Sequence, residues 1–213
     1  MNSNFTQMFP SAGGDDQGDE EESEQPAMPA WFGPPENELG AVLPLGLVVG
    51  RSEHGVVALP HATAYSRGVA FNVLALARGL SRAQSSRLLH DQYFLDEGGE
   101  PPEAFLRFGL ELPNGTRLSN IGGRMGPRRH LRPDQEPDAP VFFENGGGGG
   151  SSGGGRATIS PAFWLWPLPE PGTIRVFCEW PAVDVPLSTV DIDGGELVAA
   201  AKCITPLWPA PSA

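Results

Sequence analysis

Glycine and proline punctuate this chain too closely for long helices. They account for 28 and 23 of the 213 residues. Each interrupts regular structure, glycine through its backbone freedom and proline through its missing N–H. Between them lie short apolar runs with the two-residue period of strands. Residues 41–49 (AVLPLGLVV) form one, with Pro44 and Gly46 marking an edge or a bulge. Residues 56–65 and 68–78 read as two more strands around a Ser66-Arg67-Gly68 turn. The clearest alternation is Leu106, Phe108, Leu110 and Leu112 against Arg107, Gly109 and Glu111. Asn114-Gly115 follows, so a hairpin with a type I′ turn is expected.

Residues 141–143 (VFF) are a short strand at best. Residues 163–166 (FWLW) are apolar at every position, as a strand covered on both faces or at an interface would be. In 173–180 the residues Ile174, Val176, Cys178 and Trp180 share one face. Val190 and Ile192 mark a further strand, with Asp191 and Asp193 turned outward. One or two short helices complete the pattern. One spans about 81–91 with Ser81 as its N-cap. The other closes the chain: Asp193 and Glu196 have capping-box spacing, Leu197, Val198, Ala201 and Ile204 form its apolar face, and Pro206 ends it. A parallel α/β fold needs helices between its strands, and they are missing. The expected fold is therefore all-β: an antiparallel β-sandwich, Ig-like or similar, over residues 31–208. Gly146–Gly155 reads as a flexible glycine-rich insert, and residues 209–213 as a disordered end.

The formal net charge is −12, and it is unevenly spread. Residues 1–30 hold Asp15, Asp16, Asp19, Glu20, Glu21, Glu22 and Glu24 with no Lys or Arg, a charge of −7. Such a segment buries too little apolar surface to offset its chain entropy, so it is expected to be a disordered tail. Its small apolar cluster, Phe5, Met8 and Phe9, is either incidental or a short docking motif. The remainder is mildly acidic, which argues against a nucleic-acid partner. Cys178 and Cys203 are too few for a disulfide framework. No basic start precedes an apolar run, and no stretch approaches the roughly 20 apolar residues that span a bilayer. A cytoplasmic protein with reduced thiols and no membrane partner is expected.

Few residues carry chemistry. Asp191–Glu196 lacks the ligand spacing of a calcium loop, and a helix cap accounts for Asp193 and Glu196. Gly146–Arg156 resembles a phosphate loop only in glycine content. His54, His61, His90 and His130 are scattered, so neither metal nor cofactor is expected. Cys178 falls on an inward strand face, as a buried thiol does. No Gly-x-Ser-x-Gly elbow is present, and no catalytic residue is assigned. Two features remain as binding candidates. Arg124, Arg128, Arg129 and Arg132, with His130, form the one basic cluster in sequence, a solvated loop or a site for an acidic partner. The acidic tail is a candidate ligand for it. Trp164 and Trp166 share one side of their strand and are either core or an exposed stacking platform. Trp208 reads as a terminal latch onto the domain.

The stretch Phe163 to Ala182 (FWLWPLPEPGTIRVFCEWPA) resembles a C-terminal motif of uncharacterised actinobacterial proteins. There a glycine-rich run precedes Trp-Leu-Trp-Pro-Leu-Pro, and a Cys-Glu-Trp-Pro strand follows. The Phe105–Asn120 hairpin and the closing Leu207-Trp208 fit the same resemblance, which covers about residues 31–208. It implies a β-rich fold and carries over no activity and no site residue.

The function expected from these features is a non-catalytic protein-interaction or adaptor module with another protein as partner. The alternatives are a small-ligand or carbohydrate-binding sandwich and a hydrolase with an unrecognised site. The first requires Trp164 and Trp166 to be exposed together. The second requires a concave site where an acid pair or a Cys/His pair converges.

Overall fold

A computed structural model describes residues 28–93, 102, 104–121, 134–145 and 149–208. The candidates Arg124, Arg128, Arg129 and Arg132 lie outside these residues. In chain order the elements are β1 (Glu38–Leu39), β2 (Ala41–Arg51), β3 (Gly55–Ala64), β4 (Val69–Arg78), α1 (Arg82–Tyr93), β5 (Arg107–Glu111), β6 (Arg117–Ser119), β7 (Val141–Glu144), β8 (Gly150–Gly153), β9 (Arg156–Ile159), β10 (Ala162–Trp166), β11 (Thr173–Trp180), β12 (Val185–Asp193), α2 (Gly194–Ala200) and β13 (Thr205–Pro206).

Strand is the main regular structure of the described residues, and all their strand pairs are antiparallel. The first sheet runs β2-β3-β4-β10-β7, with β9 beside the far end of β4 and β8 beyond it. The second runs β12-β11-β5-β6. Their inner faces share one core in a sandwich-like arrangement. Val57, Leu59, Phe71 and Leu165 of the first sheet meet Leu110, Ile174, Val176 and Trp180 of the second. A stack of three rings ties the sheets together: Phe108 of β5 lies 5.1 Å from Phe163 of β10, which lies 5.3 Å from Phe142 of β7.

Local sequence explains most elements. β2 is an edge strand whose register shifts between Pro44 and Leu47, and Gly46 there has a φ of 62°. Proline cannot donate to a ladder and glycine tolerates positive φ, so both suit a bulged edge. Ser81 caps α1 reciprocally: its Oγ accepts from the Gln84 amide at 3.2 Å, and its own amide donates to Gln84 Oε1 at 2.8 Å. Asp193 caps α2, its Oδ1 accepting from the Gly195 amide at 2.7 Å.

Three expectations change. The β5–β6 hairpin forms, but Asn114 does not take positive φ; among these turn residues only Gly115 does, at 83°. Pro113 fixes a negative φ, and the Gly115 amide donates to the Leu112 carbonyl, giving a type I turn followed by a glycine bulge. From residue 150 on, the glycine-rich run also makes regular structure. β8 and β9 pair as a hairpin around Gly154 and Gly155, whose φ values of 57° and 74° suit a two-residue I′ turn. Finally, Trp208 is no latch, being 72% exposed. The end is held by β13 on β1 and by the Leu207 amide on the Asn37 carbonyl.

No helix among the described residues is long and apolar enough to cross a membrane.

Candidate functional site

The outer faces of the two larger sheets decide where a site lies. On the first sheet, half of the outer face is covered by the chain itself. Trp31, Val141, Phe143 and Trp164 form a separate cluster there, with Phe32, Tyr65, Ala70 and Trp166 packed against it. β10 therefore has no open face. Phe163 and Leu165 enter the main core, and Trp164 lies beneath the segment that precedes β1. Trp164 is 0% exposed and Trp166 half-buried, so the two do not form an exposed stacking platform. Tyr65 meets the Trp164 ring edge-on at 5.8 Å. The backbone at Gly68 passes so close that a Cβ would fall 2.5 Å from the indole. The Trp164 Nε1 and the Asn145 Oδ1 are buried without a hydrogen-bond partner among the described residues.

The other half of that face is open. A row of outward residues crosses four strands there: Arg51 is paired with Val56, Val56 with Leu76, and Leu76 with Thr158. Strand alternation turns these residues outward because Val57, Ala75, Ala77, Ala157 and Ile159 point into the core. At the margin Arg78 lies directly opposite Arg156. Like charges placed opposite one another on antiparallel strands are destabilising, so folding alone does not favour this pair. The result is a groove of about 580 Å³ floored by Val48, Val56 and Leu76 and rimmed by Arg51, Arg78, Arg156 and His54. Val48 is 41% and Leu76 38% exposed.

The rim is held in place. In the β2–β3 turn, Ser52 Oγ accepts from the amides of His54 at 3.1 Å and Gly55 at 2.8 Å, and donates to the Val183 carbonyl at 2.5 Å. Arg78 ties the same turn to β4. Its amide donates to the His54 carbonyl at 2.8 Å, and its Nε donates to the Glu53 carbonyl at 2.8 Å. Arg51 and Arg156 have no side-chain hydrogen bond or ion pair among the described residues. Only Glu53 adds a carboxylate to the lining.

The outer face of the second sheet also carries three arginines, and each has an acid. Arg107 Nη1 meets Glu179 at 2.5 Å, Arg117 Nε meets Glu111 at 2.6 Å, and Arg175 takes Asp191 with two bonds of 2.8 and 3.0 Å. The Arg175 hydrogen bonds hold the Asp191 carboxyl below the usual carboxylate range. A groove of about 410 Å³ between these pairs is lined by Phe177, Ile121 and Leu187.

Among the described residues the other chemistry-bearing groups do not converge. Cys178 is buried in the core, where burial pushes its thiol up to about 12. Cys203 is exposed. Glu144, at the end of the edge strand β7, stands beside Phe163, and burial raises its carboxyl to about 7. Among the described residues no three of His, Cys, Asp and Glu gather in a metal-binding group. No family model matches the chain, and neither the curated proteins nor the solved structures contain a match.

Arg51, Arg78 and Arg156 were invisible as a site in the sequence, because they come from three strands far apart in the chain. Arg156 follows the glycine run and reads there as an ordinary surface residue.

Proposed function

We propose that this chain is a non-catalytic protein-interaction module whose docking surface is the groove at the β2–β3–β4–β9 corner. Its partner is an acidic protein segment that also carries apolar side chains. One observation carries this reading: Arg51 and Arg156 have no acid among the described residues, in a molecule of net charge −12, beside exposed Val48 and Leu76. Guanidinium groups fork onto carboxylates, and the apolar floor receives what lies between them. The Arg78–Arg156 juxtaposition fits the same reading, since an anion bound between the two relieves their repulsion.

The test is a random peptide library displayed on phage and selected against the full chain. Enriched peptides should combine Asp or Glu with Leu, Phe or Met. Reversing two charges, Arg51→Glu with Arg156→Glu, should weaken the best peptide about 100-fold, the loss of two charge-assisted contacts of about 1.5 kcal/mol each. Peptides that are not acidic, or affinities unchanged in the double variant, would remove this function.

A further inference from the structure

We infer that the chain's own acidic segment, Asp15 to Glu24, docks in the Arg51–Arg78–Arg156 groove and keeps partners out of it. This rests on reading the groove as a docking surface for acidic segments. Three observations converge on that occupant.

The first is charge. Asp15 to Glu24 holds seven carboxylates and no basic residue, whereas the groove holds three arginines and one acid. The second is apolar content. Phe5, Met8 and Phe9 precede the acids, and the groove floor offers exposed Val48 and Leu76. The third is reach. Trp31 anchors the start of the described chain on the same outer face, in one cluster with Ala70 of β4. Ala70 and Leu76 turn outward on that strand, six residues and about 20 Å apart. The chain from Glu20 to Met28 spans up to about 28 Å when extended, so the acids can lie over the groove without strain. A tether of this length holds them at millimolar effective concentration. An outside segment of similar chemistry must therefore displace the chain's own.

The direct test labels the full chain with a nitroxide at Ser23→Cys, in a Cys203→Ser background that leaves only the buried Cys178. The amides of Val56, Leu76 and Thr158 should broaden at low salt. Their signals should recover at roughly 0.5 M NaCl, where the Debye length is only a few ångströms. They should also recover in the Arg51→Glu, Arg156→Glu variant. Signals that never broaden, or broadening that survives the two reversals, would overturn the inference. So would recovery caused by Arg128→Glu with Arg129→Glu in place of the groove pair.

A second measurement separates this inference from the reading beneath it. A labelled synthetic peptide of residues 1–27 is titrated into the full chain and into a full chain whose seven acids are changed to Asn or Gln. The neutralised chain should bind the peptide about tenfold more tightly. Equal binding would mean that the groove takes acidic segments but is not occupied by its own, so the inference falls and the docking surface stands. Binding by neither chain would overturn the inference, and selection from the peptide library then decides the docking surface on its own.

Discussion

Each of the two larger sheets turns a face with three arginines to solvent, and the two faces have opposite fates. On the second sheet Arg107, Arg117 and Arg175 each sit against a carboxylate. On the open corner of the first sheet Arg78 is spent on the Glu53 carbonyl, and Arg51 and Arg156 meet no acid among the described residues. The difference lies in the neighbours each strand offers. β5, β11 and β12 place Glu111 opposite Arg175 and Arg175 opposite Asp191, so charge cancels along the ladder. β4 and β9 place Arg78 opposite Arg156, and β2 and β3 place Arg51 opposite Val56. Charge already cancelled on the surface attracts no partner strongly. Charge left open beside apolar surface does.

The strongest way to break this contrast is to uncover the rest of the first sheet. Trp31→Ala removes the lid over Trp164 and Phe143 and should cost about 3–5 kcal/mol in urea unfolding. A cost near zero would mean that the whole outer face tolerates exposure and that the open corner is nothing special.

Glu144 sharpens the contrast from the other side, as a carboxyl whose raised affinity for its proton comes from burial. Its folded value of about 7 lies above the ordinary 4.5. Between those values the folded chain holds a proton that the unfolded chain has released. Stability therefore falls as pH rises through that window and is level above it. Glu144→Gln removes the effect and should raise stability at pH 8 by up to about 3 kcal/mol, with little change at pH 4. Equal effects at both pH values would show that Glu144 is not held protonated by burial.

Reversal of Arg51 and Arg156 comes next, with its loss of about 100-fold in peptide affinity. Its control is Arg107→Ala on the second sheet. That change should leave peptide affinity within about twofold and lower stability by less than about 1 kcal/mol, since exposed pairs contribute little. A loss of peptide binding in Arg107→Ala would move the docking surface to the other face.

Much of the fold was legible because its signals are local. The alternation of Leu106, Phe108 and Leu110, and that of Ile174, Val176, Cys178 and Trp180, places these residues in the core, where all are buried. Ser81 and Asp193 announce their helices within three residues, and Pro44 with Gly46 announces an edge. The hairpin turn was half legible. Asn114-Gly115 marked its place, and the fixed φ of Pro113 set a type that the dipeptide alone did not.

What stayed hidden depends on which strands become neighbours. The glycine run looks featureless until β9 pairs with β4 and gives it a side to lie on. Trp164 and Trp166 look like a matched pair until Trp31 and Tyr65 cover one of them. The triad Arg51, Arg78 and Arg156 has no counterpart in sequence spacing at all. Side-chain direction and helix caps are set by energies acting within about four residues. Whether an arginine meets a carboxylate is set by long-range strand pairing, driven by the burial of the inner faces and indifferent to the charges on the outer ones.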